Sequence, residues 1–393
     1  MDGLFSNRVV DVQKSFIREI LKVSLDPEII SFAGGLPNKE LFPVTELKEA
    51  SNSVLDVAGE EVLQYSNSEG YLPLREFIAQ RYREQRGIEV SAEEVLITSG
   101  SQQALDLLGK IFLDVGDEVI MEEPGYLGAI QAFSVYSPSF KTVSLLNEGL
   151  DLDDLESVLD NNQAKLLYGV PNFQNPSGIS YSDSNRKQVA QLIKDNNVYF
   201  IEDDPYYELR YEGEDLVSFK SLIPEQAILL GSFSKTIAPS FRVGWVIAPE
   251  VVMEKLVIAK QASDLHTNYI SQRILYQYLL DNDLDEHIAK IKSNYNSHRR
   301  EMLASIDKYF PKEVSCAESA GGMFLWITLP AHLKAMDLFE LAIEKKVAFV
   351  PGDPFYINEE AVNTLRLNYS CVDKAEIKTG IKRLGAAMKE IIT

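Results

Sequence analysis

AILLGSFSKTIAPSFRVGWVIA, Ala227 to Ala248, sets two short apolar runs on either side of a polar turn. Runs of this length, continuous in aliphatic residues, predict strands buried on both faces, which is the habit of a sheet covered by helices. The turn between them, Gly231 to Trp245, carries Ser232, Ser234, Lys235 and Arg242 with little other charge nearby. Desolvation penalises the charged form of an amine, so Lys235 is expected to lose proton affinity and to act as a nucleophile toward an aldehyde near neutral pH. Ser232, Ser234 and Arg242 are candidates to hold a phosphate, because the arginine fork matches phosphate oxygens.

Working outward, the same texture repeats. VLIT (95–98), EVIM (118–121), KLLYGV (165–170) and VYFI (198–201) are further apolar runs, separated by amphipathic, helix-like segments. Such alternation predicts βα units and a mostly parallel central sheet with helices on both faces. Five of the runs end in polar clusters: Ser99 to Ser101, Glu122 to Tyr126, Asn172 to Gly178, Glu202 to Asp204, and Ser232 to Lys235. Ligands of open α/β sheets bind beyond the carboxyl ends of the strands, so the five clusters are expected to share one crevice. From about residue 283 the pattern changes. A long helix over Asp283 to Tyr309, strands at MFLWITL, VAFVP and TLRLNY, and a closing helix from about Asp373 predict a smaller α+β domain. The expected organisation is an N-terminal arm over 1–45, with an amphipathic helix across Val9 to Ser24, a large domain over 46–282 and a small domain over 283–393.

The clusters carry chemistry that fits one cofactor. Asp203 follows an apolar strand, where a carboxylate is costly unless it meets a cation or hydrogen-bond donors; the alternative is a helix cap by Asp203 or Asp204. Pyridoxal 5′-phosphate needs an amine, a phosphate cradle and a carboxylate that keeps its pyridine nitrogen protonated. Lys235, the serines with Arg242, and Asp203 supply these in turn. Tyr206 is placed to donate to the ring oxygen, and Asn175 in PNFQNPSG to do the same, unless that segment is only Asn-Pro turn chemistry. Ser99, Gly100, Ser101 and Gln102 open the helix QQALDLLGKIF, where backbone N–H groups and hydroxyls form an anion site; the alternative is an ordinary cap. Tyr126 in EEPGY can stack on a ring or simply pack.

SGSQQALDL, EEPGY, PNFQNPSG, EDDPYY, GSFSKTIAPSFRVGW and TLRLNYS occur in the order in which they stand in the class I aminotransferases, fold-type I enzymes of pyridoxal phosphate, and from about Ile30 onward the chain resembles that family. The resemblance implies that Lys235 bonds the cofactor aldehyde, with Asp203 and Tyr126 completing the catalytic set. It implies that Asn175 and Tyr206 bind the ring oxygen and that Ser101, Gln102, Ser232 and Arg242, with Ser234 as helper, hold the phosphate. Arg366 would grip the substrate α-carboxylate beside Asn175 and Gly35. Tyr65 in LQYSNSEGY would reach the phosphate of a neighbouring subunit, which implies a homodimer with shared sites. ISFAGGLPNKELFP and AKQASDLHT are similar to the 2-aminoadipate, kynurenine and broad-specificity subgroup. In SFIREILK, which resembles the N-terminal helix of bacterial 2-aminoadipate aminotransferases, Arg18 stands where an arginine reads the distal carboxylate, with Ser15 one turn earlier. The expected reaction moves the amino group of an L-amino acid to 2-oxoglutarate by a ping-pong route. A β-lyase or decarboxylase would use the same Lys235 and Asp203, and an aminotransferase-like effector domain of a regulator is a further alternative.

Composition narrows the partners. At 45% hydrophobic and 25% charged residues the chain is globular in type, and no apolar run approaches a membrane span. A net charge of −21 disfavours nucleic acid, so an anion site must be made locally positive by individual arginines. Two cysteines and four histidines suggest neither a disulfide framework nor a metal centre. MDGLFSNRVVDVQKSF lacks a signal-peptide pattern, and the expected location is the cytoplasm. The segment before Ile30 is short for a DNA-binding domain, which weighs against the regulator alternative.

Overall fold

The computed structural model describes residues 4–10, 20, 26–160, 163–317, 319–358 and 362–392. Its strands are β1 (Ile30–Ser31), β2 (Val95–Thr98), β3 (Glu118–Glu123), β4 (Ser139–Leu146), β5 (Gly149–Leu150), β6 (Leu166–Gly169), β7 (Tyr199–Asp203), β8 (Ala227–Ser232) and β9 (Gly244–Ile247), then β10 (Ser315–Cys316), β11 (Phe324–Thr328), β12 (Val347–Ala348), β13 (Val350–Pro351) and β14 (Thr364–Asn368). Eight of them form the main sheet in the order β2-β9-β8-β7-β6-β3-β4-β5. The fold class is the expected α/β one. The six apolar runs are β2, β3, β6, β7, β8 and β9. β4 and β5 escape a criterion based on apolar runs, because β4 lies toward the edge and carries half-exposed Ser139, Lys141 and Thr142.

Strand directions explain why the site forms where it does. β4, β3, β6, β7 and β8 run parallel, whereas β9 is antiparallel to both β8 and β2. Two reversals restore the direction of β2, so β2, β3, β6, β7 and β8 all end at one edge of the sheet. The reversed β9 instead begins at that edge, and Arg242, two residues before it, is delivered there too. Successive residues of the buried strands serve opposite faces: Leu166 and Tyr168 belong to one apolar cluster and Leu167, between them, to another.

The second sheet is antiparallel, β10-β11-β14-β13, with Arg366 of β14 in register with Trp326 and Val350. The helix Leu284–Tyr309, N-capped by Asp283, packs along the closing helix Lys374–Ile392. The two-residue strand β1 pairs in parallel with β12, which draws the chain after it, Phe32 to Leu36, between the sheets. Of the stretch expected as an N-terminal helix, Val9 and Val10 fall in the short helix Asn7–Val10, and Ile20 is buried against Ala33, Trp326, Val350 and Phe355. Ser15 and Arg18 lie outside the described residues. Among those described, no helix is long and apolar enough to cross a membrane and no cluster of side chains could hold a metal ion.

Candidate active site

A cavity of about 410 Å³ opens beyond the common strand edge. Gly35, Ser101, Gln102, Tyr126, Asn175, Asp203, Tyr206, Ser232, Ser234, Lys235, Arg242 and Arg366 line it. The sequence clusters therefore converge, and the small sheet and the arm close the remaining sides.

The turn after β8 is built by glycines at close contacts. A Cβ on Gly231 would stand 2.3 Å from the Trp245 ring, and one on Gly244 would stand 2.9 Å from the Ser101 nitrogen, so both must be absent for β8, β9 and the helix Ser101–Phe112 to meet. The Ser234 N–H donates to Ser232 Oγ, and the two hydroxyls are 2.8 Å apart. Gly100 has φ +78°, a left-handed geometry suited to glycine, and its missing Cβ leaves room for the Arg242 guanidinium. Arg242 Nη2 donates to the Ser99 carbonyl at 3.3 Å. Two hydroxyls, an arginine and a helix N-terminus thus share one corner.

Lys235 Nζ donates to the Gly35 carbonyl at 3.1 Å and lies 5.8 Å from the Tyr206 ring centre. Burial lowers its pKa to about 8, with nearby Arg366 and Arg242 pushing the same way and Cys371 and Asp203 opposing. The amine is therefore available in neutral form close to pH 7, as its apolar flanks predict. Across the cavity, Asp203 is fully buried. Its Oδ2 accepts from the Tyr168 hydroxyl at 2.7 Å, while its Oδ1 has no hydrogen-bond partner. Burial pushes this carboxyl up to about 7. An orphaned buried acceptor of this kind fits a ring N–H donor. Asp203 caps no helix here; Asp204 instead bonds Arg86 and Asn172 on the opposite face.

Arg366 is a buried cation whose hydrogen bonds go to an amide and a carbonyl: Nη1 to Asn175 Oδ1 at 2.6 Å and Nη2 to the Ala33 oxygen at 2.9 Å. Its Nε is buried without a partner, and burial brings its pKa down to about 10. The Phe324 ring lies 4.4 Å from the guanidinium carbon. A charge so placed invites a carboxylate. Asn175 lies close to Tyr206, whose phenol is raised by burial. The Tyr126 phenol is pushed up to about 12, first by burial and then by Asp203.

Two supports were not legible beforehand. Tyr168, which orients Asp203, reads as one more bulky residue in an apolar run. Glu122 is buried, pushed up to about 7 by burial, and accepts from Tyr181, Gln174 and the Val170 N–H, which ties the Asn175 loop to β3. Ser99, expected among the hydroxyls of the anion site, instead turns its hydroxyl to Asp264 at 3.3 Å and does not line the cavity. Tyr65 is 79% exposed and outside the cavity, its ring edge against His266.

A family model described as aminotransferase class I and II matches residues 27–384. The chain is 45% identical to a 2-aminoadipate transaminase of Thermus thermophilus, over 97% of this chain and 95% of that protein. It is 41% identical to an aromatic-amino-acid aminotransferase 1 of Thermococcus litoralis, over 98% and 94% respectively. The crystal structure of LysN, an alpha-aminoadipate aminotransferase from Thermus thermophilus complexed with N-(5′-phosphopyridoxyl)-L-leucine, superposes with a TM-score of 0.92 at 44% identity, covering 99% of this chain and 98% of that one.

Proposed function

We propose, for a chain that belongs to the class I and II aminotransferases, that its amino donor is 2-aminoadipate and that 2-oxoglutarate is the acceptor. The protein is a pyridoxal-phosphate-dependent aminotransferase. The observation that carries the reading of its site is the pairing of an amine lowered to about pKa 8 with a buried carboxylate that has one oxygen unpartnered.

The cofactor supplies an aldehyde that condenses with amines and a ring that accepts the electron pair left when the substrate α-carbon loses its proton. Lys235 is the amine that would hold the aldehyde between turnovers; freed by the incoming amino acid, its Nζ would take the substrate α-proton and serve as proton donor for the second half of the transfer. Asp203 keeps a proton on the pyridine nitrogen, and its Tyr168 bond leaves Oδ1 for that task. Asn175 and Tyr206 donate to the ring oxygen, and Tyr126 covers the ring face. Ser101, Gln102, Ser232 and Arg242, helped by Ser234, hold the phosphate. Arg366 receives the α-carboxylate in a pocket bounded by Gly35. The two halves of the reaction use one site in turn, so donor and acceptor follow ping-pong kinetics. Tyr65, exposed here, completes the phosphate site of a second subunit in a homodimer.

Arg18 reads the distal carboxylate, with Ser15 assisting. This assignment is supported by the 45% identity to a 2-aminoadipate transaminase. The test is a donor panel of aminoadipate, glutamate, kynurenine, phenylalanine and leucine with 2-oxoglutarate, run on the parent enzyme and on Arg18→Ala. Aminoadipate should give the highest kcat/KM, and the variant should lose roughly tenfold or more on aminoadipate and glutamate, the scale of a charge-assisted hydrogen bond, with leucine little changed. Equal loss on both classes removes Arg18 from substrate recognition, and a preference for aromatic donors overturns the 2-aminoadipate assignment.

A further inference from the structure

AKQASDLHT, Ala259 to Thr267, contributes no residue to the cavity wall, yet two of its polar residues, Lys260 and Thr267, are buried. Lys260, on the helix Glu250–Ser263, has a fully buried side chain. Its ammonium donates to Asp264 Oδ1 at 2.8 Å and Oδ2 at 3.1 Å, and to Gln103 Oε1 at 3.0 Å. Gln103 lies in the first turn of the helix Ser101–Phe112. Its Oε1 also accepts from the Ser99 N–H at 2.7 Å, and its Nε2 donates to Asp264 Oδ2 at 2.7 Å.

A side-chain amide has two faces of opposite polarity that sterics hardly distinguish. Here a cation sits on the oxygen side and an anion on the nitrogen side, so one orientation alone satisfies both. In that orientation Gln103 caps the Ser99 N–H, Asp264 takes the Ser99 hydroxyl, and Arg242 takes the Ser99 carbonyl. Every polar group of Ser99 is thereby anchored, and the turn at Gly100 that aims the helix N-terminus into the cavity is held from behind. Desolvating the Lys260 ammonium is expensive, and an apolar side chain would fill the same space at less cost. What the charges add is the fixed amide.

We propose that Lys260 and Asp264 are positioning residues for the phosphate cradle, acting through Gln103 and Ser99 on the N-terminus of the helix that Ser101 opens. This rests on the reading of that corner as the phosphate site. It concerns the phosphate alone and not the ring or the amine.

Pyridoxal phosphate and phosphate-free pyridoxal, titrated into cofactor-stripped full-length enzyme and followed by the visible absorbance of the bound cofactor, separate these contributions. Lys260→Met and Asp264→Asn should each weaken pyridoxal phosphate on the order of tenfold, the scale on which outer-layer partners tune a bound group, and leave pyridoxal unchanged. Lys260→Arg, which keeps a cation, should recover most of the loss. Arg242→Gln is the reference: if it weakens both ligands equally, the phosphate reading of the corner fails. If Arg242→Gln discriminates and neither Lys260→Met nor Asp264→Asn does, or if these weaken both ligands in the same proportion, the positioning role is wrong while the phosphate site stands. Asp264→Asn is near-isosteric and carries the test should Lys260→Met not fold.

Discussion

Asp203 and Asp204 are neighbours at the end of β7, both buried, and they do opposite things. Strand geometry turns them to opposite faces of the sheet. On the far face Asp204 meets Arg86 at 2.6 Å and Asn172 at 2.8 Å, and Glu202 beside it bonds Ser218 within the field of Arg86 and Arg186. On the cavity face Asp203 has a single phenol and an unpartnered oxygen. On the far face both oxygens of Asp204 are partnered and serve stability, although Oε1 of Glu202 is itself without a hydrogen-bond partner. The other face holds Asp203, Lys235 and Arg366 with groups left unpaired, and each pKa is displaced by burial. A buried carboxylate with both oxygens matched, like Asp204, belongs to the scaffold, whereas Asp203, unmatched and facing a cavity, awaits a ligand.

The contrast can be broken most severely at the amine. Lys235→Ala should abolish both turnover and the visible absorbance of the covalently held cofactor while leaving far-UV circular dichroism intact; a variant of normal activity would sink the assignment of every other residue with it. Next is the aspartate pair. Asp203→Asn should lower kcat by about 10² or more with unfolding stability in urea unchanged or improved, because it removes an unmatched buried charge. Asp204→Ala should do the reverse, costing about 3–5 kcal/mol of stability by stranding Arg86, with turnover per folded molecule nearly unchanged. If both variants lose stability and keep activity, the two faces do not differ in the way described.

The smallest effect is on pH dependence. Burial raises Asp203 to about 7, above the ordinary aspartate value of about 3.9, so the folded cofactor-free enzyme holds that proton more tightly than the unfolded chain. The resulting stability is complete below the unfolded value and is lost as pH rises through about 7. Asp203→Asn should therefore lose less stability between pH 5 and pH 8 than the parent does, measured by urea midpoints on stripped protein. Glu122, also raised to about 7, leaves part of the decline in place. An identical decline in parent and variant would mean that Asp203 is ionised throughout.

How far the sequence could be read follows from the same alternation. The strand-end clusters were visible because polar residues that directly follow an apolar run must lie at a sheet edge. Their convergence followed from a parallel sheet, and the reversed β9, which swings Arg242 to that edge, was not needed to suspect Arg242 of phosphate binding. Tyr168 and Glu122 were invisible as supports, because their importance depends on which loop packs behind them. AKQASDLHT could be noticed as a resemblance, but nothing local says that Lys260 points inward to Gln103, 157 residues away.

Order along the chain was enough to determine strand type and the cofactor and to single out the amine proposed to react with it, since short-range apolar periodicity and side-chain chemistry are properties of the residues themselves. Only tertiary structure decided which buried charge is satisfied and which is left open. That distinction between Asp203 and Asp204 depends on partners more than thirty residues distant, Tyr168 and Asn172 at separations of 35 and 32 positions, and on the face to which each side chain turns.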